Sequence, residues 1–409
     1  MAKVEDIFAS VDIGSEKISV LIAEKEADKI AIFGHATGAS AGVKNGHVVN
    51  AAELAPALQS VLDKAQKSCN TYVDEIALNL SDPHLKTINQ SRSTPTQTGT
   101  VSESDIEAAI NSASAIATIT NKRKLNTTVN HFLLDDDPQP VVSPLQMQAT
   151  LLSANVHIEI VSAKAYSNLH QAIEKNELAV RKTVLDSVAA SEACLLDADK
   201  QAGVCLLDIG AHVSSFSVFT GGGITYSSVL TGGAKSITQA VADAFECSLQ
   251  EAERLKLEHG YAMLEPGVED QLIRFTQTPD EEDRFLSQHA LIGVIERAYR
   301  QLIHAFKEEL KEKKLDRALR AGVVLCGGGA KIRACDKLFI QGLRIRTKLA
   351  KINTDKISVK ESIATDLSYV SALGLLSYVY GAQTDELVQD PVAKDESGLK
   401  RGLKSLFDL

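Results

Sequence analysis

Positive charge is in deficit in this chain. Lys and Arg number 43 against 53 Asp and Glu, a formal net charge of -10. Generic nucleic-acid binding needs a basic face, so this balance argues against it. Tryptophan is absent, and the 10 His form neither an H-x-x-x-H pair nor a Cys/His cluster, so no zinc site is expected. The 6 Cys (Cys69, Cys194, Cys205, Cys247, Cys326 and Cys335) include no C-x-x-C pair, and several lie in apolar runs. Free buried thiols in a reducing compartment are the simplest reading. No apolar run approaches the roughly 18 residues of a spanning helix. The opening MAKVEDIFAS lacks a signal-peptide core, so a cytosolic chain is expected. What is present is ordinary: 409 residues, 44% hydrophobic and 23% charged, enough for two or more globular domains.

Residues 8–22, FASVDIGSEKISVLI, read as strand, tight turn and strand. Phe8, Val11 and Ile13 precede a turn at Gly14-Ser15, and Ile18, Val20 and Ile22 follow at period two. Asp12 sits where the first strand meets the turn. A carboxylate beside exposed backbone N–H groups suits a phosphate held with a divalent cation. Alone, Asp-x-Gly marks many plain turns. A second copy strengthens it: residues 204–219, VCLLDIGAHVSSFSVF, repeat the pattern around Asp208 and Gly210. A third element, residues 322–332, is an apolar strand running into Gly327, Gly328 and Gly329 and then a helix. The three together predict a nucleotide clamp, because glycine lets backbone approach a ligand that a Cβ would block. The rival reading is two structural turn aspartates and a bare helix-start loop.

In chain order the pattern predicts a strand at 30–35, an amphipathic helix at 50–69 and a strand at 76–80. Residues 82–99 are polar, and no strand is assigned there. Ser104 and Glu107 form a capping-box signature opening a helix to about residue 117. Strands are expected at 128–134, 147–152 and 156–161. Residues 82–160 therefore read as a small α+β domain inserted into the first half. A helix at 164–176, a strand-like 177–186 and a linking helix in VAASEACLL lead to the second hairpin. Beyond it a strand within 221–231 reaches Gly232-Gly233, which open a helix at 237–245. A helix at 248–259 carries Glu253 and Lys256 on one face, where a plain salt bridge is the rival reading. Residues 261–283 read as loop, 288–314 as a long helix, and 363–380 as a closing helix with tight packing at 372–374.

These paired hairpins and the GGG turn resemble the actin/Hsp70/sugar-kinase superfamily. The early insert, with TGGAKSIT, EAERLKLEHG and LGLLSY, resembles the FtsA family of actin-like bacterial cell-division proteins over nearly the whole chain. The resemblance implies an α/β, actin-like two-lobed fold, a duplicated ribonuclease-H-like β-sheet with helices and an inserted α+β subdomain in the first lobe. It implies a first-lobe core of 1–81, 161–200 and 358–382, with the insert at 82–160. The second lobe would take 201–231 and 300–357, with a subdomain at 232–299. By the same resemblance Asp12, Gly14, Ser15 and Lys17 hold the phosphates of ATP from one side, and Asp208 and Gly210, with Ala211 and His212, from the other. Asp12 and Asp208 hold magnesium through water. Gly232, Gly233, Glu253, Lys256 and Gly327–Gly329 complete the nucleotide site around the adenosine. One departure stands out: the family usually runs Gly-Gly-Gly-Thr-x-Asp where this chain has Gly210-Ala211-His212-Val213-Ser214-Ser215. If those positions need φ > 0, strain of about 1–2 kcal/mol each would weaken the phosphate grip and make hydrolysis slow or absent.

Residues 383–397 read as a polar, acidic, flexible linker spanning on the order of 20 Å. In GLKRGLKSLFDL, Leu399, Leu403, Leu406 and Phe407 fall on one helical stripe, with Lys400, Arg401 and Lys404 opposite. That suits a helix lying in an anionic membrane surface; docking on its own domain is the alternative. The function that the resemblance implies is a membrane-tethered, ATP-binding polymer. It would anchor the tubulin-like protein FtsZ, through the FtsZ C-terminal tail, to the cytoplasmic face of the inner membrane. It would also recruit later division proteins such as FtsN through the insert. A pilus-assembly adaptor of the PilM type and a sugar-kinase-like phosphotransferase are the alternatives.

Overall fold

The computed structural model describes residues 7–382, apart from 27–28, 117–118 and 278–282. The amphipathic segment 398–409 and its linker lie outside the described residues.

The first lobe begins with β1 (Ile7–Ile13), β2 (Lys17–Glu26) and β3 (Lys29–Ala39), an antiparallel meander. A short hairpin of β4 (Val43–Lys44) and β5 (His47–Val48) leads to α1 (Ala51–Cys69). Asn50 caps that helix by accepting the Ala52 N–H, and Leu54, Leu58, Val61, Leu62 and Ala65 bury its apolar face. The chain returns as β6 (Glu75–Leu80), parallel to β1.

The insert follows: β7 (Lys86–Pro95), α2 (Glu103–Ser114), β8 (Lys122–Leu134) and β9 (Leu151–Ser162). It forms its own three-stranded sheet, ordered β7-β9-β8, with a separate hydrophobic core against α2. Three expectations are corrected here. Residues 86–95 are a strand, although polar, because only one face of β7 meets that core. The strands expected at 147–152 and 156–161 are one, β9, continuous through Ser153, Ala154 and Asn155. The capping box lies two residues earlier than expected: the Ser102 side chain accepts the Asp105 N–H, and Asp105 reaches back to the Ser102 N–H.

From the insert the chain re-enters the first lobe through α3 (Ala163–Glu174) and β10 (Ala179–Leu185). Helices α4 (Asp186–Cys194) and α5 (Asp197–Ala202) cross to the second lobe. Its strands β11 (Val204–Ile209), β12 (Val213–Thr220) and β13 (Gly223–Thr231) form a second antiparallel meander. Then come α6 (Ala234–Phe245), α7 (Leu249–His259), the small hairpin β14 (Leu272–Phe275) and β15 (Arg284–Ser287), and the long α8 (Gln288–Glu312). The segment expected as loop between 261 and 283 thus contains β14. β16 (Gly322–Cys326), α9 (Cys335–Leu343) and β17 (Thr347–Leu349) complete the second sheet. The chain then returns to the first lobe with β18 (Ile357–Ser358), α10 (Glu361–Ala364) and α11 (Val370–Ala382). The closing helix is therefore broken, with a 3-10 turn at Leu367–Tyr369 before α11.

The duplication is explicit in the strand orders. One sheet runs β10-β6-β1-β2-β3, with β18 added at the edge, and the other β17-β16-β11-β12-β13. In each, a meander is followed by two parallel strands on the same side. Between the lobes α4 crosses α11 so closely that a Cβ on Gly374 would lie 1.8 Å from Ala189 O. The tight packing expected at 372–374 is this crossing.

Candidate nucleotide cleft

The twin turns share one hydrogen bond. Gly14 N–H donates to Lys17 O at 2.9 Å, and Gly210 N–H donates to Val213 O at 3.0 Å. Neither glycine has positive φ. Both turns are crowded: a Cβ would sit 3.0 Å from Lys17 O at the first, a tight fit, and 2.7 Å from Val213 O at the second, where something must shift. Ala211, His212 and Val213 also lie outside the positive-φ region. The backbone strain expected from the missing glycines is therefore absent, and that premise for a weakened second loop fails.

Both turns open onto one cavity of about 320 Å³. Asp12 enters it from the end of β1 and Asp208 from the end of β11, joined by a third carboxylate, Asp186, at the first position of α4. Asn79, near the end of β6, ties the group together. Its Nδ2 donates to Asp12 Oδ1 at 2.6 Å and also to Asp186 Oδ1, while its Oδ1 accepts Ile13 N–H at 2.6 Å. Ser81 hydroxyl donates to Asp186 Oδ2, and Ser371 hydroxyl to Asp208 Oδ2 at 2.7 Å. Burial, and then the neighbouring Asp186, push Asp12 up to about 8 and Asp208 up to about 6. Burial raises Asp186 as well. Lys17 is the cation among them. Its Nζ donates to Ser368 O at 3.1 Å and to Ser368 Oγ at 2.9 Å, and it lies 4.6 Å from the Tyr369 ring centre. Burial lowers its pKa.

A second cavity of about 430 Å³ adjoins the first across Gly210, Ala211, Gly328 and Lys331. Glu253, Lys256 and Gly329 line it. Glu253 and Lys256 are more than a surface pair. Lys256 Nζ contacts Glu253 Oε2 at 2.9 Å and donates to Thr238 Oγ1 at 2.8 Å, and Thr238 hydroxyl donates in turn to Glu253. Burial raises Glu253, but these hydrogen bonds and the Lys256 charge outweigh it and hold the carboxyl below its usual value. Gly327 has φ +83, and a Cβ there would lie 2.1 Å from Asp208 Oδ1.

Most residues expected at the site are brought together. Asp12, Gly14, Ser15, Lys17, Asp208, Gly210, Ala211, His212, Gly327 and Gly328 line the first cavity. Gly232 and Gly233 line neither. Gly233 instead lets α6 approach the second turn, where a Cβ would meet Gly210 O at 2.4 Å. The first amides of α6 are already used, Ala234 N–H donating to Gly210 O at 2.9 Å and Lys235 N–H to Ala211 O at 2.8 Å. Sequence reasoning missed Asp186, Asn79, Ser81, Ser371 and Lys331. Asn79 left a signal, as a lone amide in the apolar strand IALNL. Asp186 left less, since an Asp opening a helix is ordinary N-terminal chemistry. Among the described residues no group of three or more His, Cys, Asp or Glu is placed to hold a metal ion directly.

Comparison with known proteins agrees with this architecture. A family model described as cell division protein FtsA matches residues 205–374, and one described as the SHS2 domain inserted in FtsA matches residues 83–160. Cell division protein FtsA of Pseudomonas aeruginosa is 27% identical over 390 residues, covering 94% of this chain and 92% of that protein. Its counterpart in Escherichia coli (strain K12) is 25% identical over 384 residues, covering 91% and 90%. Among solved structures, the PilM-PilN type IV pilus biogenesis complex has a TM-score of 0.63 at 16% identity, covering 90% of this chain and 97% of that one. MreB5 of Spiroplasma citri bound to ADP has a TM-score of 0.56 at 12% identity, covering 93% and 98%. Those structural likenesses establish an actin-like fold. With both family models matched on the appropriate segments, and FtsA relatives aligned along most of its length, the chain belongs to the FtsA family of cell-division proteins.

Proposed function

We propose that this chain is an ATP-binding polymer subunit that anchors the FtsZ ring to the inner face of the cytoplasmic membrane. The observation that carries the reading is convergence: matching turns of two duplicated sheets deliver Asp12 and Asp208 to one cleft. The triphosphate would lie in the first cavity between the turns, with Lys17 and turn amides as donors. The adenosine would lie in the second, beside Glu253, Lys256 and Gly329. Burial and the neighbouring Asp186 keep Asp12 and Asp208 from ionising readily, and a divalent cation beside them would offset that cost and let the cluster carry its charge. Magnesium would be held by Asp12 and Asp208 through water, because no direct three-residue ligand set exists among the described residues. When bound, ATP-magnesium supplies the charge that lets the two lobes close on a common ligand, and closure sets the subunit interface. Asp186 would accept a proton from an attacking water. Its oxygens are already engaged by Ser81 and Asn79 and burial raises its pKa, so slow turnover is expected.

The FtsZ tail would dock on the subdomain at 232–299. Leu272 and Phe285, 73% and 63% exposed on the β14–β15 hairpin, support protein docking there. The insert would contact neighbouring subunits and later division proteins such as FtsN. No described helix is long and apolar enough to cross a membrane, so attachment would fall to the amphipathic stripe of Leu399, Leu403, Leu406 and Phe407. A single short helix binds weakly, whereas many tails on one polymer bind tightly, because later contacts become intramolecular.

Two measurements test this reading. ATP-magnesium should raise the melting temperature of the wild type and leave Asp208→Ala unchanged; a wild type without any shift would sink the nucleotide assignment. Removing residues 398–409 should abolish co-sedimentation with anionic liposomes. Retained binding would instead leave the tail docked on its own domain or dispensable.

A further inference from the structure

One face of the inserted sheet touches both lobes. Along β9, Leu152, Ala154, Val156, Ile158 and Ile160 form the insert's own core. The opposite face carries Asn155, His157 and Glu159. In register, Asn89 and Thr128 flank His157, and Thr87 and Asn126 flank Glu159. This polar face is covered: His157 and Glu159 are both 0% exposed. At its near end Asn126 Nδ2 donates to the hydroxyl of Tyr378, on α11 of the first lobe, at 2.6 Å.

The far end meets β13, the edge strand of the second lobe. Asn130 is the extra residue where the β8 register shifts between Val129 and His131, and such a bulge re-aims its side chain. It treats Ile224 as a neighbouring strand would. Its Oδ1 accepts Ile224 N–H at 2.9 Å, and its Nδ2 donates to Ile224 O at 3.0 Å. Asn89 Nδ2 donates to Thr225 O at 2.7 Å, while its Oδ1 meets His157 Nδ1 at 2.7 Å. Gly223 makes room, since a Cβ there would lie 2.5 Å from the Asn130 side chain. The seam is incompletely satisfied. Both Glu159 oxygens, His157 Nε2 and the Thr128 hydroxyl have no hydrogen-bond partner. Burial pushes Glu159 up to about 8, with Lys182 acting in the opposite direction. Such groups regain water when the faces part, so the joint is held by a few directed bonds rather than by a dry core.

We propose that the insert is a strap between the lobes, fixed to the first by its two chain crossings and clasped to the second at β13 by Asn130 and Asn89. The crossings are tied together, Ser162 N–H donating to Asp82 Oδ2 at 2.6 Å. Rotation of one lobe against the other must therefore carry the insert along or part the clasp. Parting it bares the edge of β13 and frees the insert to change its orientation. The inference rests on the lobe contacts alone and holds with or without nucleotide.

The test uses the full chain without nucleotide, as wild type, Asn130→Ala and Gly223→Ala, which attack the clasp from opposite sides. Spin labels attached through bio-orthogonal residues at the exposed positions Lys67 and Glu312 report the distance between lobes. Hydrogen exchange reports the Ile224 amide. Both variants should exchange Ile224 about tenfold faster, as expected for one lost hydrogen bond, and should broaden the lobe-to-lobe distance distribution. Unchanged exchange at Ile224 would overturn the clasp. Faster exchange with an unchanged distribution would overturn the strap. A broadened distribution in a protein that shows no ATP-magnesium shift would leave the strap standing and remove the nucleotide reading.

Discussion

Asp12 holds its proton more strongly in the folded protein than in the unfolded chain, with a pKa of about 8 against the usual 3.8. Its contribution to stability is therefore fully present below about pH 4 and is lost as pH rises through about 8. Asp12→Asn removes that dependence. In metal-free buffer the variant should melt higher than the wild type at pH 8.5, by about 1 °C for each 1 kcal/mol gained in a chain of this length. At pH 5 the advantage should largely vanish. Equal differences at both pH values would mean that Asp12 is ionised in the fold. The same shift explains why a carboxylate cluster this dense persists: bringing like charges together out of water is destabilising until a cation or protons share the site. Asp186 was invisible in the sequence for a related reason. Its place beside Asp12 comes from β6 lying between β1 and β10, two pairings between strands distant in the chain, and local pattern does not report that.

At the scale of elements, the glycine turn after β16 divides into residues with different physical duties. Gly327 combines φ +83 with a Cβ position 2.1 Å from Asp208 Oδ1, whereas a Cβ on Gly328 would meet nothing within 4 Å. Gly327→Ala should cost about 2 kcal/mol or more in urea denaturation, from left-handed strain and a displaced carboxylate. Gly328→Ala should stay within about 0.5 kcal/mol in stability yet weaken ATP binding, because its methyl projects into the cleft. Equal stability losses in both would contradict this division. The turns and the helices were the legible part of the fold. Residues 8–22 and 204–219 alternate cleanly, and Asn50, Ser248 and Gly232-Gly233 mark helix starts that the structure keeps. The insert was legible in outline only. Polar β7 covers a core with one face, β9 runs through small residues, and Ser102 rather than Ser104 caps α2. The hairpin β14–β15 escaped notice because its strands have only four residues each.

At the scale of the molecule, the cleft mouth is bridged by an ion pair between lobes, Lys235 Nζ to Glu16 Oε2 at 3.1 Å. Exposed pairs contribute at most about 1 kcal/mol. Glu16→Lys should thus lower ATP affinity by up to about fivefold in titration calorimetry, and the charge-swapped Glu16→Lys/Lys235→Glu chain should recover most of it. A swap as weak as the single variant would mean that Glu16 acts on the ligand directly rather than through closure. The two-lobed plan was foreseeable from the repeated hairpins, whereas the return of the chain to its starting half at 358–382 was expected from the resemblance alone, because local pattern does not report the two residues of β18 adding to β3. That return has a mechanical consequence. Since α11 packs in the half that also bears the insert, any pull transmitted from beyond residue 382 loads that half first. Were that pull a surface attachment, one half would be moored and the other free to swing, and a change at the cleft would become a displacement of the outer half measured from the surface that holds the rope.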